Sequence, residues 1–284
     1  MDIQLSSERT RDTVLNPNRF KAAATYDAAA DSFDAEPLSF WDRHGRRTVE
    51  LLDIMSGERV LDVGCGTGAS ALPAAAAVGV KGSVNGIDVS EKLIGLAREK
   101  AGAQQLSNVS FQLADMMEMD FAEQSFDAVI SVFSIFFVTD MERQTEELWR
   151  FVRPGGRLAI TVWSVDPFEP GSSLINEEVK RHRPDITIPT SPWKRLADPA
   201  DLRQLFLEAG TAEPKIQFVP DCQPLREPAD FWTIAMGSGF RGLIEQMTPD
   251  ERIVVRERVL ERLSQTGITE IESGAICAIA HKPH

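Results

Sequence analysis

The stretch Val-Leu-Asp-Val-Gly-Cys-Gly-Thr-Gly at residues 60–68 indicates how this chain folds. Its first residues form a short apolar run that is typical of a buried strand. Three glycines follow, and the alanine-rich run at residues 69–77 then favours a helix. A strand, a glycine turn and a helix in this order place backbone N–H groups at a helix N-terminus, where an anionic ligand group can bind. The glycines also let a ligand approach the backbone closely.

Strands and helices continue to alternate on the carboxyl-terminal side of this turn. Apolar runs predict strands at residues 59–63, 83–88, 109–115, 126–133 and 157–163, with a tight turn at residues 153–156. Between them, helices are predicted at residues 69–77, 91–101 and 141–151. Strands that alternate with helices of about ten to fifteen residues indicate a parallel sheet wound on both faces.

The regular alternation ends after Trp163. Residues 164–197 are rich in proline, charge and aromatic side chains, and an irregular insertion is predicted there. Asp198 can cap and Gly210 can end a helix over residues 199–209. A strand at 215–219, two or three amphipathic helices within 227–266 and a last strand at 274–280 follow. The predicted fold class is α/β, a Rossmann-like, doubly wound and mostly parallel seven-stranded sheet.

Composition restricts the class of partner. The 284 residues are 43% hydrophobic and carry a formal net charge of −13, a balance that opposes binding to phosphate backbones. No nucleic acid partner is therefore expected, and a small molecule fits better. Three widely separated cysteines predict neither a disulfide framework nor a metal site. The first residues do not resemble a signal peptide and the longest apolar stretch is too short to span a bilayer, so the expected location is cytoplasmic. Monomer and homodimer both stay open.

The glycine turn alone leaves two cofactors open. Gly64, Gly66 and Ala69 also satisfy the dinucleotide pattern G-x-G-x-x-G/A. Asp62 favours a cofactor with an ammonium group instead, because a carboxylate at this position can bind that group but would repel the pyrophosphate of a dinucleotide. Asp115, at the end of the third strand, can accept a hydrogen bond from an adenine amino group.

Together, residues 60–68, Gly86-Ile-Asp88, Ala114-Asp115, Phe126-Asp127-Ala-Val and residues 148–158 resemble the successive motifs of class I S-adenosylmethionine (SAM)-dependent methyltransferases. The segment with Tyr26-Asp27 and Phe33-Asp34 resembles the start of the ubiquinone/menaquinone C-methyltransferase-like branch. One departure is Phe33, where relatives commonly have tyrosine. The resemblance implies a SAM-binding core at residues 56–165, preceded by an arm (1–19) and cap helices (20–35 and 39–55) within residues 1–55. Residues 166–284 would hold the remaining strands and lid insertions near 166–197 and 227–266.

The resemblance also implies a role for each matching residue. Asp62 would lie near the amino group of SAM, Asp88 would bind both ribose hydroxyls, and Ser131 would offer its backbone carbonyl to the ammonium group. Asp115 with Met116 would bind adenine. The full set of expected cofactor residues is Tyr26, Phe33, Asp62, Gly64, Cys65, Gly66, Gly68, Asp88, Val89, Asp115, Met116 and Ser131. Cys65 is expected to be a small residue of the loop rather than a nucleophile.

Methyl transfer requires an aligned acceptor, and it requires a base only if the acceptor is protonated. Candidate bases are His44, Asp166 and His182, with a solvated helix-end residue as the other interpretation of His44. Expected acceptor-pocket residues, suited to an apolar or aromatic small molecule, are Trp41, Phe136, Phe137, Trp163, Phe168 and Trp232. No metal is expected. Two alternatives stay open, a non-catalytic protein that binds SAM or a partner, and an NAD(P)-dependent dehydrogenase.

Overall fold

A computed structural model of the chain describes residues 17–188 and 190–284. Most of the predicted N-terminal arm therefore lies outside the described residues. The main feature is a seven-stranded sheet with the strand order β3-β2-β1-β4-β5-β9-β6. Its strands are β1 (Arg59–Val63), β2 (Ser83–Asp88), β3 (Val109–Leu113), β4 (Phe126–Val132), β5 (Val152–Trp163), β6 (Lys215–Val219) and β9 (Ala275–His281). A separate two-stranded sheet pairs β7 (Cys222–Pro224) with β8 (Glu270–Glu272).

The sheet confirms the predicted Rossmann-like, mostly parallel architecture. Strands β1 to β5 run parallel to one another, whereas β9 is antiparallel to both β5 and β6. Val60, Leu61 and Val63 of β1 are all fully buried, as expected for a parallel strand that is covered on both faces. Because β1 pairs with β2 on one side and β4 on the other, the strand order reverses at this point. Ligands of such sheets bind beyond the carboxyl ends of the strands at this reversal.

Helices cover both faces of the sheet. They are α1 (Pro17–Ala29), α2 (Phe40–Leu52), α3 (Ala71–Val78), α4 (Glu91–Ala103), α5 (Met141–Phe151), α6 (Gly171–His182), α7 (Pro199–Glu208), α8 (Pro228–Met236), α9 (Arg241–Ile244) and α10 (Pro249–Thr266). The predicted caps of α7 are confirmed. The Asp198 side chain accepts a hydrogen bond from the Ala200 N–H at 2.7 Å, and Gly210 follows with a φ of 69°.

Three sequence predictions are wrong in detail. Residues 164–197 are not irregular throughout, because they contain α6, whose apolar Leu174, Ile175 and Val179 are buried on one face. The first cap helix ends at Ala29 rather than near residue 35, since residues 30–35 form turns favoured by short polar side chains. Residues 153–156 are not a turn before the fifth strand. They bulge within β5, where Val152 pairs with Phe126 and Arg157 pairs with Ala128.

The segments after β5 close over the sheet. Helix α10 packs against α6 and α8, and buried side chains from these helices join the same hydrophobic cluster as those of the central strands. At the opposite end, Arg157 ties α2 to β1 and β5. Its guanidinium donates to the carbonyls of Leu52 and Asp53 and pairs with both carboxylate oxygens of Glu58 at 2.8 Å. Among residues 17–188 and 190–284, no helix combines the length and apolar character that a membrane crossing needs.

Candidate functional site

The glycine loop at residues 64–68 lies at the carboxyl edge of the sheet, between the ends of β1, β2 and β4. Gly64 has a φ of 73°, and a Cβ there would collide with the side chain of Ser134, so the close approach of these two segments requires glycine. The N–H groups of Gly64 and Cys65 both donate to the Ile87 carbonyl, which anchors the start of the loop to β2. The loop thus lies where the fold predicts a ligand.

Asp88, the last residue of β2, holds the middle of the loop. Its Oδ2 accepts from the Gly66 N–H and its Oδ1 from the Ser90 N–H, both at 2.9 Å. Burial raises the pKa of Asp88, and these backbone hydrogen bonds oppose the shift. A carboxylate offers about four lone pairs, so after these two bonds Asp88 can still accept from two hydroxyl groups. Val89, the next residue, is half-buried beside it.

Asp62 lies in β1 beneath the loop and is fully buried. Its Oδ2 accepts from the Ser70 hydroxyl at 2.7 Å, while Oδ1 has no hydrogen-bond partner among the described residues. Burial raises the pKa of Asp62 to about 7, and the negative charge of Asp88 adds to the shift. An unpaired buried carboxylate oxygen is costly, and a cationic ligand group would satisfy it.

Asp115 follows β3 at the same edge of the sheet. It is buried, and its Oδ1 accepts from the Met117 N–H at 2.9 Å at the start of a 3-10 turn (Met116–Glu118). The Met116 carbonyl accepts from the Gln144 side chain at 2.9 Å, which holds this turn against α5. Both predicted adenine residues therefore flank the end of β3, next to β2, which carries Asp88.

Two serines close the other side of the loop. Ser134 donates to the Val63 carbonyl at 2.6 Å, and because its hydrogen is used there, Ser131 donates to the Ser134 oxygen at 2.7 Å. Ser131 is fully buried near the end of β4. The structure places it beside the loop, as the expected carbonyl role requires.

Two aspartates of the N-terminal cap bind the core directly. Asp34 accepts from the Thr67 hydroxyl at 2.7 Å and from Lys100 of α4 at 2.5 Å. Asp27 accepts from the Ser90 hydroxyl at 2.5 Å at the start of α4. Sequence reasoning gave these residues no role, although both lie in the segment that carries the family resemblance. They fasten the cap over the glycine loop.

An aromatic cluster joins the cap to the ends of β4 and β5. Phe33 stacks on Trp41 at 5.4 Å between ring centroids, and Phe133 stacks on Trp163 at 3.9 Å. Trp41 contacts both rings of this second pair. The cluster consists of Tyr26, Phe33, Phe40, Trp41, Phe133, Phe137, Trp163 and Phe168.

The cluster brings four of the six predicted pocket residues together, namely Trp41, Phe137, Trp163 and Phe168. Phe136 is buried in the core beside Phe137, and Trp232 is half-buried on α8. Phe133 was missed by sequence reasoning, although its position directly after β4 was the available signal. Its φ of 53° is a strained conformation for a bulky residue, of the kind that concentrates at functional sites.

The known proteins that are similar to this chain in sequence include methyltransferases. A family model described as "Methyltransferase domain" matches residues 60–156, from β1 into β5. The chain is similar to aklanonic acid methyltransferase DauC of Streptomyces sp. strain C5, with 36% identity over 48% of this chain and 62% of that protein. It is 28% identical to nocamycin O-methyltransferase of Saccharothrix syringae over 84% of this chain and 89% of that protein. Residues 60–156 thus match a methyltransferase family, and the chain is similar in sequence to small-molecule methyltransferases.

Other matches concern the branch and the fold. Demethylmenaquinone methyltransferase of Listeria welshimeri is 36% identical over 40% of this chain and 48% of its own length. The match thus covers less than two thirds of that enzyme, as it does of DauC. The crystal structure of YcgJ from Bacillus subtilis superposes with a TM-score of 0.55 at 17% identity, covering 85% of this chain and 99% of YcgJ. These relatives give no support to the dehydrogenase alternative.

The three candidate bases lie in different surroundings. His44 is only 1% exposed, so the interpretation as a solvated helix-end residue is wrong, and its ring lies against Phe133 and Trp163 of the aromatic cluster. Asp166 is exposed, with a φ of 53°, in the turn after β5. His182 is exposed at the end of α6, beside a small cavity shared with α10. Of the three, the structure brings only His44 against the aromatic cluster.

Tyr26 and Cys65 complete the predicted set. The Tyr26 ring lies edge-on to Phe33 and Phe137, and burial together with the charge of Asp88 raises the pKa of its hydroxyl. Burial and the nearby carboxylates of Asp62 and Asp88 likewise raise the pKa of the Cys65 thiol. A thiol with a raised pKa is a poor nucleophile, in agreement with the expectation that Cys65 is a small residue of the loop. In the part of the chain that the structure describes, no group of three or more potential ligands could hold a metal ion.

Proposed function

We propose that this chain transfers the methyl group of SAM to a small-molecule acceptor. The observation that carries the proposal is Asp62, a buried carboxylate beneath the glycine loop whose Oδ1 lacks a partner in the described residues. The ammonium group of SAM would supply that partner. A pyrophosphate beside the same carboxylate would be repelled, because both are anionic.

The surrounding residues fit the rest of the cofactor. The glycine loop lets the methionine part of SAM approach the protein backbone closely. Asp88 retains lone pairs that can accept from the two ribose hydroxyls. Asp115 and Met116 flank the adjacent strand end, where adenine would lie. The other proposed contacts come from Tyr26, Phe33 and Val89, and from the carbonyl of Ser131.

Bound SAM supplies an electrophilic methyl group on a positively charged sulfur. The protein's own contribution is to exclude water and to align the acceptor, and alignment alone is worth up to roughly 7–11 kcal/mol in favourable cases. Tyr26, Phe33 and Trp41 present aromatic rings on the cap side of the site. A ring facing the sulfonium would stabilise it by about 0.5–2 kcal/mol.

The aromatic cluster supports an apolar or aromatic acceptor. We assign the cofactor to residues 56–165 and the acceptor to a chamber closed by the cap and by the lid segments within residues 166–284. The names of two relatives, which act on aklanonic acid and nocamycin, agree with a small-molecule acceptor. The chain's net charge of −13 makes a nucleic acid acceptor unfavourable.

Calorimetric titration with S-adenosylhomocysteine tests the cofactor assignment. Asp88→Ala removes the proposed acceptor of the ribose hydroxyls and the carboxylate that binds the Gly66 N–H. The affinity for S-adenosylhomocysteine should therefore fall at least about 100-fold. Asp201→Ala, a change at an exposed residue of α7, is the matched control and should bind as the unmodified protein does. Unchanged affinity in Asp88→Ala would overturn the assignment.

Turnover separates the enzyme from a non-catalytic binding protein. Formation of S-adenosylhomocysteine from SAM is followed while a panel of hydroxylated, aminated and carbon-acid aromatic acceptors is supplied. Acceptor-dependent formation supports the proposal. Binding of the cofactor with no turnover across the panel would favour the non-catalytic alternative.

A further inference from the structure

Two of the buried polar atoms that lack a partner in the described residues lie at the aromatic cluster. Among the described residues, four buried side-chain atoms lack a hydrogen-bond partner, namely Trp41 Nε1, His44 Nδ1, Asp62 Oδ1 and Ser125 Oγ. Buried polar groups are paired in the great majority of cases, so each exception needs an explanation. Asp62 is explained by the cofactor. Three remain. Ser125 lies just before β4, at the opposite edge of the sheet from the glycine loop. Trp41 and His44 lie three residues apart on α2, and both contact Phe133 and Trp163.

The two atoms have opposite hydrogen-bonding roles. The Trp41 indole nitrogen is only a donor. His44 Nε2 lies 2.7 Å from the Ser273 carbonyl, which can only accept, so Nε2 carries a hydrogen. In neutral His44, Nδ1 is therefore a bare acceptor. Burial lowers the pKa of His44, which keeps the imidazole neutral near pH 7.

A donor and an acceptor on one helix face are complementary to a hydroxyl group, which can accept from one and donate to the other. The walls around them are aromatic rings, including the stacked pair of Phe133 and Trp163. A planar ring that carries the hydroxyl would pack against these rings. The donor, the acceptor and the aromatic walls together match a phenol.

We propose that Trp41 and His44 form the hydroxyl-binding subsite of the acceptor chamber, which takes a phenolic acceptor and passes its proton to Nδ1 of His44. This inference rests on the proposed function. The O–H bond breaks as Nδ1 takes the proton, and the oxygen lone pair forms the new O–CH₃ bond. The C–S bond breaks with its electron pair left on sulfur, so the products are the methyl ether, S-adenosylhomocysteine and one proton. That proton leaves His44 to water when the ether departs.

Asp221 acts as a positioning residue behind His44. Its Oδ2 lies 3.7 Å from Nε2, accepts from the Ser273 hydroxyl at 2.6 Å, and pairs with Arg43 at 2.7 Å. The carboxylate raises the pKa of His44 and the Arg43 guanidinium lowers it. Three other residues that contact the His44 ring are uncharged. They are Phe133 after β4, Trp163 at the end of β5 and Ser273 between β8 and β9. The carboxylate therefore offsets part of the cost that burial and Arg43 impose on a cation at His44.

The test uses the full chain saturated with S-adenosylhomocysteine, and two probes that differ only in the group of interest. 4-Nitrophenol has the hydroxyl, and 4-nitroanisole is its methyl ether. The unmodified protein should bind the phenol at least about tenfold more tightly than the ether. Below the pH at which free 4-nitrophenol ionises, this preference should be lost as His44 takes up a proton, because Nδ1–H can no longer accept from the phenol.

Two variants separate the donor from the acceptor. Trp41→Phe keeps a ring but removes the N–H, and the preference for phenol over ether should fall severalfold. His44→Gln should abolish the pH dependence of this preference, because glutamine does not titrate. Matched controls are Trp149→Phe on α5 and His281→Gln at the opposite edge of the sheet, and both should behave as the unmodified protein.

Each outcome decides one of the two proposals. Failure to bind S-adenosylhomocysteine contradicts the proposed function itself. Cofactor binding without any preference for the phenol, or an unchanged preference and pH dependence in both variants, overturns the subsite alone. If His44→Gln does not fold, the phenol-to-ether ratio of Trp41→Phe still decides the outcome.

Discussion

The Ser70 hydroxyl donates to Oδ2 of Asp62 at 2.7 Å, across the turn between β1 and α3. This single side-chain hydrogen bond does not compensate for the burial of the carboxylate, so the pKa of Asp62 rises to about 7. The site therefore carries a charge that is unfavourable until a cation arrives. Stability and cofactor affinity are expected to depend on pH in opposite directions.

Asp62→Asn tests this opposition. Because the folded pKa of about 7 exceeds the unfolded value of about 3.9, Asp62 favours folding below the lower value, and this contribution is lost as pH rises through 7. The variant copies the protonated form, so without cofactor it should be more stable than the unmodified protein at pH 8, on the order of 4 kcal/mol. Near pH 4 the difference should vanish. Urea unfolding at both pH values measures it.

The same variant should bind S-adenosylhomocysteine at least about tenfold more weakly at pH 8, since it loses the charged partner of the ammonium group. Affinity of the unmodified protein should fall below pH 7 as Asp62 takes up a proton, whereas that of the variant should not. Asp201→Asn serves as the exposed control. Equal stability of Asp62→Asn and the unmodified protein at pH 8 would show that the buried charge of Asp62 does not destabilise the fold.

Gly45→Ala should destabilise the fold, because its Cβ would collide with the Ala69 carbonyl and lie 2.7 Å from the Ser70 nitrogen. Overpacking of this kind costs about 1–3 kcal/mol, even though alanine is the better helix former. Gly95→Ala in α4 is the matched control, since its Cβ meets nothing within 4 Å. It should gain up to about 1 kcal/mol. Thermal unfolding of the pair gives the comparison, and a gain in Gly45→Ala would contradict the close packing of α2 on the start of α3.

Lys100→Met should loosen the cap without unfolding the core. Lys100 donates to Asp34 at 2.5 Å and to the Thr67 hydroxyl at 2.9 Å, so its loss weakens the attachment of the cap and leaves only the Asp34–Thr67 hydrogen bond at this point. Both charged side chains are partly exposed, so the effect on stability should be under about 1 kcal/mol. Dissociation of S-adenosylhomocysteine, followed by stopped flow, should become severalfold faster. Lys92→Met on the same helix is the control. An equal dissociation rate in both variants would show that Lys100 does not hold the cap over the bound cofactor.

Arg157→Met should be among the more destabilising changes in the chain. It leaves Glu58 without its partner and removes the donor to the Leu52 and Asp53 carbonyls. Breaking a buried ion pair typically costs about 3–5 kcal/mol. Arg203→Met removes an exposed pair with Glu213 and should cost less than about 1 kcal/mol. Urea unfolding of the two variants should separate them clearly, and similar losses would contradict a structural role for Arg157.

The local parts of the fold were readable from the sequence. Strands β1, β2 and β6 and helix α5 have the predicted bounds, because a run of apolar residues and its flanking turns are properties of neighbouring residues. The same holds for the Asp198 cap, which joins atoms two residues apart. Asp62, Asp88 and Asp115 could be placed at one edge of the sheet, since parallel strands share the edge at which they end.

What the sequence alone determined is therefore the alternation of strands and helices, the strand-end carboxylates and the resemblance to SAM-dependent methyltransferases. Only the tertiary structure decided which distant residues meet. Asp34 and Lys100 are far apart in the chain, as are the two strands of the β7–β8 sheet, and no periodicity records such contacts. The burial of His44 depends in the same way on β4, β5 and Ser273 packing around α2. Local preference acts over a few residues, whereas the partners of a buried side chain are selected by the packing of the whole molecule.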